Sequence, residues 1–142
     1  MKKFEFLEHM ADAYVAAYGA TIEEAFENAA LAMFEVMTDT KTVEPEFEEA
    51  VEITGEDEYA LLYVWLETLL IKFDVEGKLY CKFKVKNIGK RLEGVTLKAE
   101  IWGEQFDPEK HPSRVGVKAV TYHQMEIMKK NEEFVVKVIL DI

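Results

Sequence analysis

The C-terminal end of the chain carries residues that could bind a hard cation. The run FVVKVILDI, residues 134–142, places Asp141 beside Ile142, whose main chain ends in a second carboxylate. Two negative groups one residue apart repel each other, and calcium or magnesium would relieve the repulsion because both ions prefer carboxylate oxygens as ligands. A solvated C-terminus without an ion is the alternative interpretation.

A second pair of ionisable groups lies near the N-terminus. The run FLEHMADAYVAAYG, residues 6–19, places His9 and Asp12 three positions apart among apolar and aromatic residues. The alternation at residues 4–6 and the aromatic-rich residues 14–19 each predict a strand. Asp12 is therefore expected near the connection between two strands.

Two helices are predicted to position these ends. Thr21 and Glu24 have the spacing of a capping box, and apolar residues then recur at helical spacing, which predicts a helix over residues 22–37. An acidic segment, residues 44–58, has the pattern of a half-exposed strand followed by a turn at Gly55.

The second helix is predicted to begin at Asp57 or Glu58 and to continue through the run ALLYVWLETLLIKF. Because this run is apolar on nearly all sides, the helix is expected to be central in the fold. Glu67 is its conspicuous polar residue. It either faces water at the helix edge or belongs to a buried polar site that needs a partner.

The remainder of the chain is strand-like. Alternating apolar residues predict four strands, at residues 79–85, 95–102, 115–128 and 133–142. Turns are expected around Asn87–Lys90 and at Lys130–Asn131, which makes two hairpins. Two prolines and many polar side chains predict a surface loop over residues 103–114.

These elements predict the fold class. Strands with two helices inserted between them indicate a single α+β domain over residues 1–142, in which two main helices pack against a mostly antiparallel or mixed β-sheet. With 49% apolar residues, the 142-residue chain can build one substantial core.

Composition excludes several classes of function. A net charge of −11 argues against strong direct binding of nucleic acid, which depends on Lys and Arg. Cys81 is the only cysteine, so no internal disulfide or cysteine-based zinc cluster is possible, and the first residues lack a secretory pattern. We therefore expect a cytoplasmic protein. The longest apolar segment, residues 59–71, is shorter than the roughly 20 residues that cross a bilayer, so no membrane association is expected.

Catalytic motifs are also missing from the sequence. The chain contains no phosphate-binding glycine loop and no nucleophile-elbow motif. Its three histidines, His9, His111 and His123, are too widely spaced to form a helical zinc motif. No acid–base pair can be chosen among so many carboxylates, so the sequence motifs identify no catalytic residue.

Six short segments, spread over nearly the whole chain, form a recognisable pattern when they are taken together. They are, in order, residues 6–12 (FLEHMAD), 21–30 (TIEEAFENAA), 65–70 (WLETLL), 103–104 with 110–111, 117–123 (VKAVTYH) and 140–142 (LDI). In this pattern the chain resembles the archease family, small proteins that assist the RNA ligase of tRNA splicing.

The resemblance implies a metal site and a set of residues near it. Asp12 and Asp141 would bind the ion, with the terminal carboxylate of Ile142 as a third ligand, and these oxygen ligands favour calcium, with magnesium as the alternative. His9 would orient Asp12 or pack beneath it. Lys118 would either make an ordinary salt bridge or help to activate the ligase, and His111 is expected near the site.

The resemblance also implies the activity. Such a protein would not be an enzyme but an activator of the ligase, promoting guanylylation of the ligase and multiple turnover, and widening the choice of nucleotide. Its acidic charge fits docking onto a basic, RNA-binding partner. Two alternatives remain: a stand-alone metal-dependent phosphoester hydrolase, and a general chaperone that shields apolar surfaces.

Overall fold

The observed elements follow the apolar spacing of the sequence. The structure, a computed structural model, describes residues 2–8 and 12–142. Its elements, in chain order, are β1 (Phe4–Leu7), β2 (Asp12–Gly19), α1 (Ile22–Met37), a single 3-10 turn (Thr40–Thr42), β3 (Phe47–Gly55), α2 (Glu58–Glu76), β4 (Lys78–Arg91), β5 (Gly94–Gln105), β6 (Ala119–Val120), β7 (Glu126–Lys130) and β8 (Glu133–Asp141).

The strands form two antiparallel sheets. The five-stranded sheet has the order β1-β2-β8-β6, and β7 pairs with the other end of β8. The three-stranded sheet has the order β3-β5-β4. The predicted α+β class is confirmed, and the structure adds that the strands divide between two sheets with the helices between them.

Both helices lie between the sheets. Helix α1 contacts β2 and β8 on one side and β4 on the other, while α2 contacts β3 of one sheet and β6 of the other. Trp65 on α2 is fully buried and donates its indole N–H to the carbonyl oxygen of Phe26 on α1, over 3.0 Å. The core therefore lies in the middle layer, and each sheet has an outer face.

Local capping explains where the helices begin. The Glu24 N–H donates to Thr21 Oγ1 over 3.1 Å, and Glu24 Oε1 accepts from the Ala20 N–H over 2.9 Å, so the predicted capping box is present with its return bond one residue earlier. The predicted helix over residues 22–37 is confirmed. Asp57 caps α2 by accepting from the Ala60 N–H over 2.8 Å.

The first long hairpin turns later than the sequence predicts. The β4–β5 ladder continues through Ile88, which pairs with Leu97, and the strands turn at Leu92 and Glu93. The prediction of a turn around Asn87–Lys90 is therefore wrong, because cross-strand pairing outweighs the local turn preference of these residues.

The C-terminal hairpin is shorter than predicted. Strands β7 and β8 do turn where the sequence indicates, with Asn131 at a φ of 59°. The predicted strand over residues 115–128 is broken, because only β6 and β7 pair with β8 and residues 121–125 connect them. Among the described residues, no helix is long and apolar enough to span a membrane.

Candidate metal centre

The first residue of β2 and the last residue of β8 form the candidate metal centre. Asp12 lies directly opposite Asp141 in the antiparallel pairing of these strands. Side chains of directly opposite residues project from the same face, with Cβ atoms about 4.5–5.5 Å apart. The next pair, Ala13 and Leu140, packs toward the helices, so the two carboxylates project from the outer face of the five-stranded sheet.

The two aspartates differ in how far they are exposed to solvent. Asp12 is half-buried and Asp141 is exposed. Ile142, the residue after Asp141, packs its side chain against the core. The site therefore offers two side-chain carboxylates, and oxygen donors of this kind suit calcium or magnesium.

Lys118, the residue before the edge strand β6, lies beside Asp141. Its backbone N–H donates to the Asp141 carbonyl oxygen over 2.7 Å, and the following residue, Ala119, pairs with Asp141. Asp141 is thus flanked by Asp12 on one side and by the 118–119 segment on the other. The Lys118 side chain is exposed to solvent.

The other two residues predicted near the site have different outcomes. His9 lies outside the described residues. His111 is buried, and its ring nitrogens bond within the segment that follows β5: Nε2 lies 2.8 Å from Glu104 Oε2, and Nδ1 accepts from the Asp107 N–H over 2.9 Å. Because Nδ1 is an acceptor, Nε2 carries the proton and donates to Glu104, so this histidine is neutral.

Glu104 and His111 change the interpretation of residues 103–114. The sequence predicts a surface loop, yet Glu104 belongs to β5 and is 6% exposed, while His111 is 1% exposed. Sequence reasoning noted Glu104 only as part of the resemblance, considered His111 as a zinc ligand and as a residue near the metal site, and missed their pairing. An acidic residue at the end of an alternating strand, followed by a histidine between loop residues, was the available signal.

The charge of Glu104 is stabilised by several donors. Burial raises its pKa, but bonds from the Lys110 ammonium, the Glu44 N–H and His111 outweigh burial and lower the pKa to about 2. The Lys110 Nζ lies 2.8 Å from Glu104 Oε2 and 3.4 Å from Glu44 Oε1. Glutamates 44, 46 and 104 have carboxylate oxygens within 4.8 Å of one another. The positive charge beside this cluster is the ammonium group of Lys110, which pairs with Glu44 and Glu104.

Comparison with known proteins identifies relatives of the whole chain. The chain is 50% identical to an archease of Sulfurisphaera tokodaii and 51% identical to an archease of Methanothermobacter thermautotrophicus, over 142 residues and 100% of each chain.

Solved structures agree with the fold. A solution structure of a Methanobacterium thermoautotrophicum protein superposes with a TM-score of 0.84 at 48% identity, covering 100% of both chains. The crystal structure of an archease from Thermotoga maritima, described as a possible chaperone, superposes with a TM-score of 0.63 at 17% identity, covering 97% of this chain and 96% of that chain, which shows a shared fold. The model of the Archease protein family matches residues 4–142, and the chain belongs to this family.

Proposed function

We propose that this protein is a metal-binding accessory factor that activates the RNA ligase of tRNA splicing. In this proposal the ligase joins the RNA ends, and the protein promotes ligase guanylylation and multiple turnover. It acts in the cytoplasm, by protein–protein contact, without strong binding of nucleic acid or membrane. Family membership supports the proposal, and the register of the two chain ends carries it.

One observation supports this proposal most directly: Asp12 faces Asp141 at the outer edge of the sheet. Like charges placed directly opposite on paired strands repel each other, and a bound cation would relieve that repulsion. Asp141 is exposed to solvent. A half-buried carboxylate opposite an exposed one suits a site that binds an ion and also contacts a partner.

The residues at this site have distinct roles in the proposal. Asp12, Asp141 and the Ile142 carboxylate would hold a calcium ion, or a magnesium ion in its place. When bound, the ion would supply positive charge that can contact phosphate oxygens. Lys118 would present a second positive charge beside Asp141 to the ligase, and the strand ladder would keep both groups in place.

Ligase guanylylation with single variants tests the proposal. The ligase of the same organism is mixed with a substoichiometric amount of the protein, GTP and calcium, and ligase–GMP is measured over time. We expect the wild-type protein to stimulate the formation of ligase–GMP. Asp12→Ala and Asp141→Ala should each reduce this stimulation at least tenfold. Asp74→Asn, an exposed change on α2, is the matched control and should stimulate fully.

Full stimulation by both aspartate variants would remove the metal site from the mechanism. Turnover of a phosphoester without ligase would instead favour the hydrolase alternative. Equal protection of unrelated clients by wild type and Asp141→Ala would favour the chaperone. In the part of the chain that the structure describes, the large exposed apolar side chains are three on α2 and four on other segments: Tyr59, Ile71 and Val75, and Phe6, Leu92, Val115 and Tyr122.

A further inference from the structure

An aromatic pair beside a carboxylate lies next to the candidate metal centre. The rings of Tyr63 on α2 and Tyr122 after β6 stack with centroids 4.6 Å apart and an interplanar angle of 7°. The Tyr63 hydroxyl donates to Glu67 Oε2 over 2.9 Å, which holds the carboxylate near the edge of the stacked rings. Tyr122 is 53% exposed, so the pair presents ring surface to solvent.

Two aromatic rings elsewhere in the described residues have a lysine over the ring and a carboxylate nearby. Lys82 lies 4.6 Å from the centroid of Trp102, whose indole N–H donates to Glu48 over 2.9 Å. A comparable set, near Phe47, has Lys78 at 5.3 Å from the ring centroid and 2.9 Å from Glu49. A cation over a ring face is attracted by the ring, and Lys78 also pairs with its carboxylate, so both rings have a cation from within the chain.

The set of Tyr63, Tyr122 and Glu67 lacks such a cation within the part of the chain that the structure describes. Neither ring has a lysine or arginine over it there, and no cationic side chain lies within ion-pair distance of Glu67. The stacking anchors the segment after β6 to α2, but that contact uses only one face of the Tyr122 ring. The remaining ring surface and the carboxylate match a planar cation.

We propose that Tyr63, Tyr122 and Glu67 form a docking site for an arginine side chain of the partner ligase, an inference that rests on the proposed function. A guanidinium group is planar, stacks on aromatic rings and donates to carboxylates in a fixed geometry, whereas an ammonium group is a more strongly hydrated point charge. The net charge of −11 favours a basic partner. A tyrosine-rich site that takes an arginine is also the composition common at binding hot spots.

The position of the set supports the same partner. Ala119 pairs with Asp141, and the Thr121 N–H donates to the Ile139 carbonyl oxygen, so Tyr122 follows three residues along the edge strand from the carboxylate pair. At about 3.3 Å per strand residue, the two sites are roughly 10 Å apart. A protein that covers Asp141 therefore also reaches the tyrosine pair.

Binding of the purified, calcium-loaded protein to the full-length ligase tests this inference. The dissociation constant is measured for Tyr122→Ala and Glu67→Gln, and stimulation of ligase–GMP formation is measured at saturating protein. We expect both variants to raise the dissociation constant about tenfold, with stimulation at saturation unchanged and calcium affinity unchanged. Tyr122→Phe keeps the ring and should bind within twofold of wild type.

Two matched controls separate this site from general surface effects. Tyr59→Ala removes another exposed tyrosine one turn earlier on α2, and Glu132→Gln removes an exposed carboxylate in the turn between β7 and β8. Both should bind within twofold of wild type. A photoreactive phenylalanine at position 122 should then crosslink to the ligase beside an arginine, and changing that arginine to alanine should abolish the effect of Tyr122→Ala.

The possible outcomes distinguish the two proposals. If the wild-type protein binds and stimulates while Tyr122→Ala and Glu67→Gln bind equally well, the arginine site is wrong and the proposed function stands. If only Tyr122→Ala weakens binding and Glu67→Gln does not, a cation is not the ligand and the inference is overturned. If the wild-type protein neither binds nor stimulates the ligase, the proposed function fails and this inference fails with it.

Discussion

Asp12 and Asp141 face each other across two antiparallel strands that join the beginning of the chain to its end. The register is fixed by seven further pairs, from Ala13 with Leu140 to Gly19 with Phe134. A shift by one residue would turn the apolar side chains of β8 away from the helices, so packing of the core also determines where the two carboxylates meet.

Calcium should stabilise the folded protein through this pair. A ligand that binds only the folded state adds about 2.7 kcal/mol at a hundredfold excess over its dissociation constant, so the wild-type melting temperature should rise with added calcium. Asp141→Asn should lose most of this rise. Without calcium the variant should be more stable than wild type by about 0.2–1 kcal/mol, because opposed like charges are removed.

The measurement is thermal unfolding with calcium and with a chelator. Asp74→Asn is again the matched control, since this residue is exposed on α2, and it should show the full calcium response. An equal rise in melting temperature for Asp141→Asn and wild type would show that calcium binds elsewhere.

The buried Glu104–His111 pair should be essential for stability. His111→Ala removes a hydrogen bond to a buried carboxylate and leaves a cavity beside Phe106, whose ring stacks on the imidazole with centroids 6.0 Å apart. We expect the free energy of unfolding in urea to fall by about 3 kcal/mol. His123→Ala, at an exposed position, should change it by no more than about 0.5 kcal/mol. Equal values for the two variants would contradict a stabilising role for the pair.

The helices could be predicted closely because their boundaries depend on local contacts. The capping residue Thr21 and the glutamate three positions later are visible in the sequence, and the helix observed begins at Ile22 and ends at Met37. Asp57 caps the second helix in the same way. Glu67 shows the limit of this reasoning, since its tyrosine partner is visible at helical spacing but the stacking of Tyr122 is not.

The sheets could be predicted only in part, because their pairing depends on residues far apart in the chain. Alternation located most strands but could not show that they form two sheets or that β4 continues past Asn87. The actual turn at Leu92 and Glu93 uses Gly94 at a φ of 129°, a conformation that favours glycine. The sequence has no local signal that distinguishes this glycine from Gly89.

The candidate site also has one part that local sequence could predict and one part that it could not. That Asp141 lies beside a terminal carboxylate is a local fact, and it predicted a cation on physical grounds. That Asp12 belongs to the same site came only from the resemblance, because no local rule pairs the two ends of a chain. The burial of His111 was missed because its partner, Glu104, lies on the other side of a proline-containing loop.

Acid should destabilise the protein partly through Glu104. Its pKa in the folded protein is about 2, below the ordinary value of 4.5, so the folded state binds fewer protons than the unfolded state between these values. The stabilisation is therefore fully present above about pH 4.5 and is lost as the pH falls toward 2. The free energy of unfolding, measured in urea from pH 6 to pH 2.5, should fall more steeply for wild type than for Glu104→Gln. Parallel pH profiles would show that the charge of Glu104 contributes nothing.

Gly103 should tolerate no side chain, because the backbones of β4 and β5 approach closely at this residue. A Cβ at position 103 would lie 1.8 Å from the Leu79 carbonyl oxygen and 2.8 Å from Tyr80 Cα, and backbone atoms cannot move away without breaking the ladder. The irregular pairing between Tyr80 and Lys82 lies opposite this residue. We expect Gly103→Ala to lower the free energy of unfolding by about 3 kcal/mol or more, or to prevent folding.

Gly116 provides the matched control for this close approach. A Cβ at position 116 has no atom within 4 Å, and this glycine is not among those with a positive φ, so Gly116→Ala should leave stability unchanged or raise it by about 0.4–1 kcal/mol through the unfolded state. Urea unfolding of both variants gives the comparison. Because the two changes add the same methyl group, a difference between them measures the packing of β4 against β5 and not the intrinsic cost of replacing glycine. Equal free energies of unfolding for the two variants would mean that β4 and β5 can move apart at Gly103 without loss of stability. The close approach of these strands would then not hold Glu104, the next residue, in place.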